Sequence, residues 1–120
     1  MAKSIIGEKS YKFAIRVVNL YKYLTEVKRE FILSKQVLRS GTSIGANVEE
    51  SLGGQSDKDF NAKLSIAYKE ARETKYWIRL LRDTKYLTQE FAESILEDCE
   101  EICRIIGKIQ STMRSDRRNC

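Results

Sequence analysis

The sequence predicts an all-α protein folded as an antiparallel up-down-up-down four-helix bundle. Three observations point there. The 120 residues contain no proline and only six glycines, so few positions oblige the chain to turn. Apolar residues recur at spacings of three and four along four long stretches. No stretch alternates polar and apolar residues with period two between turn signals, which argues against strands.

The first stretch, about 10–24, carries Phe13, Val17, Leu20 and Leu24 on one stripe, with Ala14, Val18 and Tyr21 beside it. The second, about 30–52, carries Leu33, Val37, Ile44, Val48 and Leu52. The third, about 57–84, has the clearest seam: Phe60, Leu64, Ala67, Ala71, Thr74, Ile78 and Leu81. The fourth, about 89–113, places Ile95, Cys99, Ile102, Ile106, Ile109 and Met113 in phase, leaving 114–120 as a tail. Gly53-Gly54 ends helix two, where glycine takes a left-handed cap at little cost. Ser56 then caps helix three, with Asp59 in the capping-box position, and Thr88 caps helix four. Connections this short make neighbouring helices antiparallel.

The expectation is therefore a single domain over residues 1–120. Charged residues at 32% and hydrophobic ones at 42% exclude both a disordered and a membranous chain. No apolar run approaches the roughly 20 residues that cross a bilayer. Met1 to Ser10 lacks the apolar core of a secretory signal, so a mature N-terminus and a cytoplasmic location are expected. Three cysteines, an odd number, make no disulfide framework.

Helix two holds the least ordinary segment, Arg39 through Glu50. Gly41 and Gly45 lie on one face, each costing about 1 kcal/mol against alanine, and close helix packing is the expected compensation. Beside them Arg39, Ser43, Asn47 and Glu50 form a polar stripe. Folding helix three back at Gly53-Gly54 brings Arg39 level with Glu70 and Glu73, so an ion pair across the helices is expected. Its structural reading is a pair that sets helix register; its functional reading is a polar site between helices.

Catalysis and metal binding find little support. The chain has no histidine, which removes the commonest general base and the imidazoles of a di-iron bundle. Cys99 and Cys103 share a face, but a structural zinc needs four ligands, and Cys120 would supply only a third cysteine. No enzyme, cofactor or metal is expected, and the cysteine pair reads as core.

Charge layout says more. Residues 1–29 hold seven basic residues against two acidic ones, and 86–101 hold six acidic residues and no basic one. In an up-down bundle the start of helix one and the end of helix four share a pole. Lys3, Lys9, Lys12 and Arg16 would there meet Arg104, Lys108, Arg114, Arg117 and Arg118, a basic pole able to hold phosphates. The alternative is that these charges complement a helix dipole and aid solubility. Tyr11, Tyr23, Tyr76, Trp77 and Leu80 fall partly outside the seams, as at a subunit interface.

The segment Arg39 to Glu50, the turn Gly53 to Phe60, and Leu64 to Ala67 followed by Glu73 resemble the bacterial family of 23S rRNA intervening-sequence proteins, also called S23 ribosomal proteins. The likeness covers roughly residues 10–110 and rests on Arg39, Ser43-Ile44, Asn47 and Glu50. It implies a four-helix bundle assembled as a ring-shaped homopentamer. More distantly the family is similar to the accessory protein of diversity-generating retroelements, a basic pentamer that binds nucleic acid. The chain departs from many relatives in having Gly45 where proline is common and Ser51 where glycine is common. Two functions follow as expectations: association with RNA or structured DNA through phosphates, or a scaffold holding a protein partner on exposed helix faces.

Overall fold

Four helices follow one another in the computed structural model: α1 (Ala2–Glu26), α2 (Leu33–Leu52), α3 (Asp57–Asp83) and α4 (Gln89–Asn119). The structure describes the backbone of residues 2–119 and the side chains of residues 5–115. Each helix packs on two neighbours, α1 on α2 and α4, and α3 on α2 and α4, while the diagonal pairs do not approach. Cross-helix partners run in opposite order along every seam. Arg39 meets Glu73 while Glu50 meets Lys63, and Lys9 meets Glu101 while Arg16 meets Asp98. The result is an antiparallel four-helix bundle, 53 Å long and about as wide as two helices, 22 × 20 Å.

The predicted seams form the core. All seven positions of the α3 stripe are buried, as are Phe13, Val17, Leu20 and Leu24 of α1 and Ile95, Cys99, Ile102, Ile106 and Ile109 of α4. Leu33 and Met113 pack against the core partly buried, and Leu52 stands exposed in the last turn of α2. The α1–α2 seam is closest at the two glycines. A Cβ on Gly41 would lie 2.7 Å from both methyls of Val17, and one on Gly45 would lie 3.2 Å from the Ser10 carbonyl oxygen. Helix–helix contact at this spacing offsets the propensity cost of glycine in a helix.

The helix ends depart from expectation in four places. Helix α1 starts at Ala2, not near Ser10, because Ile6 continues the apolar stripe and is fully buried. Helix α4 continues to Asn119, so 114–119 are helical; no glycine or proline follows Gly107 to stop it, and arginines suit a helix C-terminus. Cys120 lies outside the described residues. Helix α2 starts at Leu33 rather than Glu30, and Glu30 instead caps it. Its carboxylate accepts the Ile32, Leu33 and Ser34 N–H groups at 3.2, 3.0 and 2.7 Å, replacing a cap that Ile32 has no side chain to make. Burial raises the Glu30 pKa, but the three backbone donors outweigh it and hold the carboxyl below its ordinary value.

The fourth departure concerns the left-handed residues. Gly53 has φ −92°, and no glycine has positive φ; Arg29 (φ 56°) and Lys85 (φ 71°) do instead. Lys85 closes a Schellman turn, with Tyr86 N–H on the Leu81 carbonyl at 2.9 Å and Lys85 N–H on the Arg82 carbonyl at 3.1 Å. Gly54 serves by its missing side chain: a Cβ there would meet the Ser51 carbonyl at 3.1 Å and the Phe60 nitrogen at 3.4 Å. Ser56 and Thr88 cap as expected, accepting Asp59 N–H and Phe91 N–H, each at 3.1 Å.

Candidate functional site

The polar stripe of α2 meets α3 at its two ends, Arg39 and Glu50. The Arg39 guanidinium reaches Glu70 Oε1 at 3.4 Å and also pairs with Glu73. Trp77 Nε1 donates to the same Glu73 carboxylate at 2.9 Å. The Trp77 hydrogen bond and Arg39 together lower the Glu73 pKa, against a smaller opposing effect of burial. One turn away, the seam is tied in its interior. Thr74 Oγ1 lies 2.7 Å from the Glu70 carbonyl and 2.9 Å from Ser40 Oγ. A carbonyl cannot donate, so the Thr74 proton goes to Glu70 and Ser40 donates to Thr74.

The rest of the stripe does not join this cluster. Ser43 Oγ donates to the Arg39 carbonyl at 2.6 Å, and Asn47 Nδ2 donates to the Ser43 carbonyl at 2.8 Å, both within α2. Glu50 pairs with Lys63 at 2.9 Å. Arg39, Glu70 and Glu73 therefore come together, while Ser43, Asn47 and Glu50 do not join them. Their hydrogen-bonding capacity is used along α2 or at its far end, and they do not converge on a ligand-sized space.

The nine basic candidates fall into three groups. Lys9 pairs with Glu101 at 3.2 Å, Lys12 with Glu8 at 2.9 Å, and Arg16 with Asp98 at 2.6 Å, with Arg16 Nη2 also 3.3 Å from Ser94 Oγ. This corrects the expected pole. The basic face of α1 lies against the acidic stretch of α4 rather than beside its basic end, because antiparallel packing sets residues 9–16 level with 94–101. Arg104, Lys108 and Arg114 are exposed and form no ion pair among the described residues. The side chains of Lys3, Arg117 and Arg118 lie outside the described residues.

The cysteines sit at the α3–α4 seam. Cys99 is fully buried, its Sγ 3.3 Å from the Ala71 carbonyl, and Cys103 is partly buried against the core. The neighbouring Cys99 S–H lowers the Cys103 pKa, helped by Lys75 and Arg72 and opposed by burial; hydrogen bonding to Cys103 and burial raise that of Cys99. Among the described residues no three His, Cys, Asp or Glu side chains group as metal ligands. No helix there is long and apolar enough to cross a membrane.

Sequence reasoning missed a cleft at the opposite end of the bundle. The α1–α4 contact is the loosest of the four. Beside it a cavity of 490 Å³ opens between Leu20 and Tyr23 on one side and Leu87 and Phe91 on the other. A second cavity of 310 Å³ adjoins it through the shared Tyr23, Leu87 and Thr88, and is lined by Lys28, Arg82 and Lys85. No local motif marks it, since its walls come from both ends of the chain.

Residues 2–108 match the family described as 23S rRNA-intervening sequence protein. Among solved structures the chain is similar to a crystal structure, at 1.70 Å resolution, of a protein with unknown function from the S23 ribosomal protein family of Bacteroides thetaiotaomicron. The two are 51% identical over 91% of this chain and 97% of that one, with a TM-score of 0.89. No curated protein matches the chain.

Proposed function

The chain belongs to the 23S rRNA-intervening sequence protein family, and from that premise we propose a cytoplasmic, non-catalytic, self-associating protein that holds RNA or structured DNA by its phosphates. The observation that carries this reading is the free positive charge on the C-terminal half of α4. Arg104, Lys108 and Arg114 stand exposed without ion pairs among the described residues, in a chain of net charge +5. In sequence Arg117 and Arg118 extend the run against Asp116 alone. Long cations on one helix suit phosphate neutralisation rather than base reading, which needs side chains placed against groove edges. The reading without catalysis draws on the absence of histidine and on Arg39, Glu70 and Glu73 being engaged with one another.

Self-association draws on a different face. Tyr11, Ile15 and Val18 recur at four and three along α1 and are 69%, 49% and 37% exposed. An aromatic–aliphatic stripe of this kind fits a subunit contact, and a homopentamer is the assembly proposed. The same stripe favours the second reading, a scaffold that holds a protein partner there.

Binding of a structured RNA, followed by fluorescence anisotropy between low and high salt, tests the first reading. Phosphate contacts predict a log–log slope of about −0.7 to −0.9 per neutralised phosphate. Absence of binding at low salt, or affinity indifferent to salt, would rule it out. Capture of a bacterial protein that survives nuclease and is lost in Tyr11→Glu would favour the scaffold.

A further inference from the structure

We infer that the joined cavities at the 27–32 and 84–88 end of the bundle form a binding site for a nucleoside phosphate, either a free mononucleotide or the 5′-phosphorylated end of a strand. The larger cavity has flat apolar walls. Phe91 and Tyr23 face it, both partly exposed, with Leu20 and Leu87 between them. The Arg16 guanidinium lies 5.5 Å from the Phe91 ring centroid and covers that ring with a cation. Asn19 and Thr88 supply the polar groups on the same walls. At 490 Å³ the cavity falls in the range of small-molecule sites, which combine apolar and aromatic walls with a few polar groups. Aromatic walls with an amide and a hydroxyl suit a planar heteroaromatic base, which stacks and offers edge hydrogen bonds.

The adjoining cavity supplies the charge complement. Lys28 and Lys85 line it and form no ion pair among the described residues, although Lys85 lies in the field of Asp83. Arg82 adds no free charge, because it holds Asp83 through contacts of 2.8 and 3.3 Å. Gln89 is likewise engaged, donating to Glu93 at 3.0 Å. Two free lysines beside an aromatic cavity fit a ligand with an apolar plane and an anion at its edge. Lys85 reaches the cavity from a left-handed position in the turn after α3, and Lys28 from the turn after α1, so the loose α1–α4 seam joins the two.

The test is titration calorimetry of the full chain with AMP, adenosine, inorganic phosphate, and a short RNA with either a 5′-phosphate or a 5′-hydroxyl. The site predicts AMP at least about tenfold tighter than adenosine, the equivalent of one charge-assisted contact. Lys28→Gln with Lys85→Asn should bring AMP down to the affinity of adenosine; asparagine tolerates the left-handed backbone. Phe91→Leu should weaken AMP and adenosine alike. Preference for the 5′-phosphorylated RNA over its 5′-hydroxyl twin would identify a strand end, and AMP binding without that preference a free nucleotide. Equal affinity for AMP and adenosine, inorganic phosphate binding as tightly as AMP, an unaffected lysine variant, or no AMP binding at millimolar concentration would each overturn the inference. Arg104→Gln with Lys108→Gln should leave AMP affinity unchanged, which separates this site from phosphate contacts along α4.

Discussion

The seams on either side of α1 are built differently. Toward α2 the helices approach until Gly41 leaves no room for a Cβ against Val17, and the backbone of Ser10 lies close over Gly45. Toward α4 the contact is looser, and it is bridged near the surface by Arg16–Asp98 and Lys9–Glu101 beside an open cavity. The difference shows what each kind of residue is used for. Small residues set a tight seam whose stability comes from packing, whereas long charged residues span a wider one and leave an open cavity. It also explains the basic pole. Lys9 and Arg16 of α1 are occupied with acids of α4, and free positive charge remains on the C-terminal half of α4.

The tight seam gives a test that depends on its background. Gly41→Ala should destabilise the fold by up to about 2 kcal/mol, an overpacking cost of about 1–3 kcal/mol less roughly 1 kcal/mol of helix propensity. In a Val17→Ala background the same change should become neutral or stabilising, because the obstructing methyls are gone. Urea denaturation of the four chains checks this, and destabilisation of equal size in both backgrounds would contradict a tight Gly41–Val17 contact.

Next comes the entry to α2. Glu30→Gln should cost about 1–3 kcal/mol at neutral pH, since a neutral amide replaces a carboxylate that accepts three backbone N–H groups. The folded-state pKa of Glu30 lies below its unfolded value. Its contribution is therefore present above the unfolded pKa and is lost as pH falls through the folded one. Thermal melts from pH 7 to pH 3 should show the gap between wild type and variant closing on the acid side. A gap that stayed constant across that range would mean the carboxylate charge is not what caps the helix.

The loose seam should respond least. Arg16 and Asp98 are both partly exposed, so Arg16→Ala should cost at most about 1 kcal/mol, and less at high salt. A loss of several kcal/mol would show that the α1–α4 contact depends on this bridge. Arg39→Ala belongs to the same class, with Arg39 about half exposed. The protein's one tryptophan, Trp77, hydrogen-bonds the same Glu73 and should report that change as a shift in fluorescence even where stability barely moves.

Much of the fold was legible because helical periodicity is local. The stripes of α1, α3 and α4 and the caps at Ser56 and Thr88 need only nearest-turn information. The Arg39 pair followed from folding one helix back on the next. The errors arose where a residue's role depends on distant parts of the chain. Glu30 looks like a first helical residue until its carboxylate is seen turning onto the next turn's N–H groups. Arg29 and Lys85 take left-handed positions that sequence assigns to glycine or asparagine. Charge sums along the chain grouped the α1 and α4 cations, but the register of the two helices sets Lys9 and Arg16 against acids.

The proposed nucleic-acid contact rests on free charge along α4 rather than on the paired charge of α1. The direct measurement is the salt dependence of RNA affinity for wild type, Arg104→Gln/Lys108→Gln/Arg114→Gln, and Lys9→Gln/Arg16→Gln. The α4 variant should bind about ten- to a hundredfold more weakly, with a slope shallower by two to three phosphates, while the α1 variant keeps most of the affinity and slope. Equal losses from both variants, or a loss confined to the α1 variant, would contradict the account.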